Sequence, residues 1–211
     1  MSEKDASSST NSISPLQLNT KFSDAVTKVD RVTEALKAQG IEVSPSGSVG
    51  SLFAKVRQVN KQHAQNSNGY DQMKFFAAME ALWIAQALEI AAEEPESRET
   101  IRRIIGSEMD LSGRKQSQGK DVLWELDLFR RLKLGNANVR LAEPDIVLQL
   151  DDRLGNFGIA CKKVYCESGV EGALRNGCDQ LERQGLPGVV AFNLDDLMEE
   201  KGKRPANTVL T

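Results

Sequence analysis

Histidine occurs once in the 211 residues, at His63, and cysteine three times, at Cys161, Cys166 and Cys178, without CxxC spacing. That set supports neither a Cys/His zinc cluster nor a disulfide framework, so the thiols are expected to be buried and free. With His63 remote from any candidate nucleophile, no Ser/His/Asp arrangement is available. Gly155, Gly158, Gly169 and Gly172 lack the spacing of a phosphate-binding loop. Aromatic residues make up only 5% of the chain. The longest apolar stretch, Phe75 to Ala92, is interrupted by Glu80, Gln86 and Glu89, which argues against a membrane span. Met1-Ser-Glu-Lys-Asp5 has no apolar core of the secretory kind, and a cytoplasmic location is expected. A net charge of -3 excludes coating of nucleic acid by bulk electrostatics.

What is present describes a globular protein: 40% hydrophobic and 27% charged residues, enough chain for one good core or a core with a helical appendage. Charge is unevenly spread. Residues 101–140 hold nine Lys or Arg against five acids, whereas Glu89 to Glu99 holds five acids and one arginine. The basic segment is either a local face for a polyanion or a solvated helix surface.

Residues 1–20, with Ser7-Ser-Ser-Thr-Asn-Ser12, are too polar to bury and are expected to form a disordered tail. Helical periodicity dominates residues 21–106. Phe22, Ala25, Val26, Val29, Val32, Ala35 and Leu36 mark a first helix, and Leu52, Val56 and Val59 a second that runs to about Gln65. A long third helix spans about Asp71 to Ala92, and a short fourth spans Ser97 to Ile105. This helical region carries no catalytic constellation; it is a candidate dimerisation surface or dock for a protein partner. Residues 107–119 read as a mobile loop or domain joint. From 120 to 211 the pattern becomes mixed: a helix over Asp121 to Leu134, strands at Asn138 to Leu141, from Asp145 and from Phe157, a helix over Gly169 to Arg183, and a strand at Val189 to Leu194. Asn207 to Thr211 has strand character without a partner, and a C-terminal portion is expected to be missing.

The hairpin carries the chemistry. Asp145 opens one strand, and Cys161 and Lys162 close the next, with Ala160 and Lys162 on one face and Cys161 on the other. Lys163 should be a solvated charge. Trp124-Glu125-Leu126, Pro144-Asp145, Ala160-Cys161-Lys162 and Gln180, taken in this order, resemble the PD-(D/E)xK nuclease superfamily over about residues 120–197. The resemblance implies an α/β, restriction-endonuclease-like αβββαβ core, here preceded by an all-helical N-terminal region.

It also implies a metal-dependent nuclease that hydrolyses DNA phosphodiesters, as in defence, repair or mobile-element biology. Magnesium or manganese would be held by Asp145, Glu125 and the backbone carbonyl of Cys161. Lys162 would act on the phosphate or the attacking water. Gln180 would hold Lys162 or the substrate backbone. Arg114, Lys115, Lys120 and Asn176 would contact nucleic acid. The sequence departs from the pattern at Ala160, where the superfamily has an acid. Either Glu125 and Asp145 suffice, or a carboxylate such as Glu167 or Glu171 replaces it, or the chain is a catalytically silent module that binds nucleic acid or a protein. Each residue also has a purely structural reading: Glu125 as an acid favoured by the helix dipole, Asp145 as a turn former, Gln180 as a helix-surface amide.

Overall fold

The computed structural model describes residues 22–65, 72–95, 97–111, 113, 115–150, 153 and 155–197. The expected tail, Arg114 and the segment after Leu197 lie outside these residues. The described chain is mixed α/β, with six α-helices and one four-stranded sheet.

Four helices make up the N-terminal half: α1 (Phe22–Ala38), α2 (Ser48–Gln65), α3 (Gln72–Ala92) and α4 (Arg98–Gly106). In α1 the periodic residues Ala25, Val29, Val32 and Leu36 are all buried, as spacing near 3.6 requires of a helix packed on one side. By length and composition α3 would suffice to cross a membrane, with a mean hydropathy of 1.4 over Lys74–Ala92, a test that mostly buried core helices also pass. Here it packs against α1, α2 and α5 instead, burying Ala81, Ile84, Ala85, Ala87 and Leu88 completely. Its small residues let neighbouring helices approach, and Glu89 is held by Lys28 at 2.6 Å and Arg31 at 3.2 Å.

Helix α5 (Gln118–Leu134) joins the two halves. Leu123, Leu126 and Phe129 belong to one apolar cluster that runs without a break from Ala25 in α1 to Ile159 in the sheet. Two points of the segment expected to be a mobile loop or domain joint are bonded to neighbours. Met109 is buried and its N–H donates to Ser48 Oγ at 2.9 Å, while Ser117 Oγ donates to the Glu108 carbonyl.

The strands are β1 (Val139–Ala142), β2 (Asp145–Gln149), β3 (Asn156–Lys163) and β4 (Gly188–Asn193), in spatial order β1-β2-β3-β4. β1, β2 and β3 pair antiparallel, with Ile146 opposite Ile159. α6 (Val170–Gln184) then crosses over so that β4 lies parallel to β3, with Ala160 opposite Val190. α5 covers the face that carries Ile159 and Cys161, and α6 covers the face that carries Gly158. Glycines set how closely α6 lies. A Cβ on Gly177 would come within 2.7 Å of Val190 Cγ1, and one on Gly188 within 2.5 Å of Leu181 Cδ2 on α6.

Candidate active site

Asp145 starts β2 immediately after the buried Pro144, at the end of the hairpin where β3 finishes. Its Oδ2 accepts the backbone N–H of Cys161 at 2.6 Å, which fixes the carboxyl against β3. Glu125, on the second turn of α5, approaches from the helix side. Burial and then the Asp145 charge push the Glu125 carboxyl up to about 8, with Glu143 adding to the rise and Arg103 and Lys162 opposing it. Burial raises Asp145 to about 6, against the Cys161 N–H and the Lys162 ammonium. Two half-buried carboxyls therefore share one site whose nearby cations do not fully compensate them.

Lys162 comes from the α6 face of β3, where its ammonium donates to Gln180 Oε1. Gln180 Nε2 in turn donates to the Pro144 carbonyl at 3.4 Å, so one amide contacts both strands of the hairpin. The Lys162 charge acts on Glu125, Asp145 and Asp121, although α5 and α6 cover opposite faces. The structure thus brings Glu125, Asp145, Cys161, Lys162 and Gln180 together.

Other expected residues lie elsewhere. Lys120 is buried and its ammonium donates to the carbonyls of Gly113 and Lys115, the latter at 2.9 Å, so it secures a loop instead of facing a ligand. Lys115 is exposed and paired with Glu108 at 3.0 Å. Asn176 sits on the exposed outer side of α6, in a shallow depression with Gly172, Arg175 and Asp179. Glu171 pairs with Arg175 at 2.9 Å, and neither it nor Glu167 is among the charges that act on Glu125 or Asp145. Part of the basic density of 101–140 is paired: Arg130 and Arg131 share Asp127 at 3.0 and 2.7 Å, and Lys133 meets Glu94.

Two expectations are corrected outright. Lys163 is no solvated charge. It pairs with Asp196 at 2.7 Å, both side chains being about one-tenth exposed, and donates to Asn193 Oδ1 at 3.1 Å. Nor are the thiols all buried, because Cys166 and Cys178 are exposed and only Cys161 is partly covered.

Sequence reasoning missed Glu143 and Arg103, whose charges act on both carboxyls. Glu143 stands two residues before Asp145, a signal available in the sequence. Arg103 belongs to α4 in the other half, and nothing local points to it. Also missed was a polar cluster beside the site, in which the Tyr165 hydroxyl donates to Asp121 Oδ1 at 2.7 Å.

The donor set bears on a metal. Among the described residues no group of three or more His, Cys, Asp and Glu side chains is placed to hold an ion. Two carboxylates and a backbone carbonyl nevertheless suit magnesium, which keeps several waters and completes its shell with phosphate oxygens. A Glu125 carboxyl raised by burial and by the Asp145 charge, beside an Asp145 raised by burial, is the electrostatic condition that a divalent cation relieves. Comparison of the chain with family models, curated proteins and solved structures finds no match.

Proposed function

We propose that the chain is a metal-dependent nuclease that hydrolyses DNA phosphodiester bonds on a core similar to that of the PD-(D/E)xK superfamily. The observation that carries this reading is the convergence of Asp145, Glu125 and Lys162 at one end of the hairpin, with Asp145 bonded to the Cys161 N–H and Lys162 to Gln180. The succession α5, β1, β2, β3, α6, β4 agrees with the restriction-endonuclease-like αβββαβ order.

Glu125, Asp145 and the Cys161 carbonyl are the residues that would hold magnesium or manganese. Such an ion supplies Lewis-acid polarisation of the phosphate and activation of water. Both residues would hold the ion as carboxylates, so the proton that Glu125 keeps below about pH 8 would have to leave on binding. Lys162, positioned by Gln180, keeps N–H donors for a phosphate oxygen that gains charge as the bond breaks.

Digestion of plasmid and single-stranded DNA with magnesium or manganese tests the proposal, comparing wild type with Asp145→Ala and Lys162→Ala. Loss of cleavage in both variants is expected, and equal nicking by all three proteins discards the site. A second reading is favoured by Ala160, which is completely buried and offers no ligand: a silent module that binds DNA or a protein. Calorimetric titration with magnesium separates the two, since a silent module should bind the ion very weakly.

A further inference from the structure

β4 is the outer strand of the sheet, with β3 on one side and, among the described residues, no strand on the other. The amides of Gly158 and Val164 donate to the Pro187 and Asn193 carbonyls at 2.8 and 3.0 Å. Pairing in a parallel ladder alternates, so the N–H and C=O of Gly188, Val190 and Phe192 point away from β3. An edge of this kind is ordinarily guarded by lysine, proline or a bulge. The Gly-Val-Val-Ala-Phe-Asn sequence of β4 has no charge and no proline.

The helix beside that edge is apolar on the matching side. Gly177 and Leu181 face the sheet, and Gln180 reaches inward to Lys162 and the Pro144 carbonyl. At about 100° per residue, Leu174 and Cys178 lie on the opposite flank from Gln180, toward the free edge. Leu174 is 44% exposed and Cys178 is exposed, while on the other face of β4 Val189 is 48% exposed. Free backbone groups and apolar side chains on both faces therefore border one edge.

We propose that a second copy of the chain covers this edge, β4 pairing antiparallel with β4 about a two-fold axis at Val190. The strand is complementary to itself. Gly188 then lies opposite Phe192, and Val189 opposite Ala191, of the second copy, and no like charges meet along the strands. The helix layer fits as well. Each α6 lies over β3 and β4, so the two α6 helices stand two strand spacings apart, about 10 Å, a distance at which helices pack, with Leu174 and Cys178 between them. Charges agree at the rim. Gly177 lies against Val190, so Arg175 and Glu182 of the second copy differ by about 4–5 Å along the helix axes, at about 1.5 Å per residue. Arg175, which holds Glu171 of its own helix at 2.9 Å, then stands between two acids. This surface, instead of the helical half, joins the copies, whether or not the candidate site cleaves DNA.

The test is sedimentation velocity of the full chain from about 1 to 200 μM, with amide hydrogen exchange at both ends of that range. A monomer–dimer equilibrium is expected, with protection of the Val190 and Phe192 amides that rises with concentration. Leu174→Glu and Val189→Lys should each weaken the dimer at least about tenfold, whereas Leu134→Glu, at an exposed apolar position on α5, should leave it within about twofold. Glu182→Lys should weaken it about fivefold, and adding Arg175→Glu should largely restore it. A short bismaleimide should join two chains through Cys178 in the Cys166→Ser variant. A monomer at every concentration overturns the proposal, and edge amides equally protected throughout in that monomer would assign the edge to the chain's own segment after Leu197. A dimer indifferent to both Leu174→Glu and Val189→Lys places the contact on another surface and overturns it as well.

Discussion

Gln180 on α6 accepts the ammonium of Lys162 on β3 and donates to the Pro144 carbonyl, 3.4 Å away, just before Asp145. A single side chain thereby fixes the lysine relative to the aspartate, and it acts through them. Gln180→Ala should lower kcat on plasmid DNA by about ten- to a hundredfold with little change in KM, at a cost of about 1 kcal/mol in stability. Gln180→Glu, which keeps an acceptor for Lys162 but loses the donor to the Pro144 carbonyl, should recover only part of the rate. A large rise in KM with kcat intact would show instead that Gln180 binds substrate directly.

The raised carboxyls make stability depend on pH in a definite direction. The Glu125 carboxyl titrates near 4.5 ordinarily and at about 8 in the fold, and Asp145 near 3.8 ordinarily and at about 6 in the fold. Between these values the folded chain holds protons that the unfolded chain has released, so stability is full at acid pH and falls as pH rises toward 8. Thermal melts from pH 5 to 9 should show that decline, and Glu125→Gln should flatten it, melting above wild type at pH 8.5 by a margin of about 1–2 kcal/mol. Magnesium should oppose the decline, raising Tm more at pH 8 than at pH 5.5, because protons must leave as the ion binds. A Tm that rises with pH in the absence of metal would contradict the shared-charge description.

Thiol chemistry should separate the three cysteines. Burial and the Asp145 and Glu125 charges push the Cys161 thiol up, so it stays protonated and inert, whereas Cys166 and Cys178 are exposed. Iodoacetamide at pH 8 should add to Cys166 and Cys178 within minutes and to Cys161 only after unfolding, as read by intact mass and peptide mapping. Fast labelling of Cys161 in the folded chain would mean that the helix-side wall of the site is open.

Much of this arrangement was legible in the residue pattern, and what was not has a common physical origin. Val29, Val32 and Leu36 recur at helical spacing because one side of α1 is buried, and Ile159, Cys161 and Lys162 alternate because β3 presents two faces. Both signals are local, so element positions and the Asp145–Lys162 hairpin follow from sequence. Charge partnership is not local. Lys163 meets Asp196, Lys133 meets Glu94, and the Arg103 charge acts on Glu125 only because α4 and α5 pack. Nothing in the spacing of Lys120 distinguishes a buried loop clamp from a surface contact; its ammonium is held by the Gly113 and Lys115 carbonyls.

Ala160 gives the last prediction. It is completely buried on the face of β3 covered by α6, opposite Val190, which itself packs within 2.7 Å of where a Cβ on Gly177 would lie. An acid introduced there must displace well-packed apolar groups and bury a carboxyl. Ala160→Glu should therefore cost on the order of 3 kcal/mol, lowering Tm by roughly 6–12 °C in a chain of this size. If Glu125 and Asp145 are sufficient ligands, the variant should gain neither magnesium affinity nor cleavage over wild type. Cleavage that appears only in Ala160→Glu, with a tighter magnesium titration, would instead identify the native chain as the silent module and locate its missing ligand at this position.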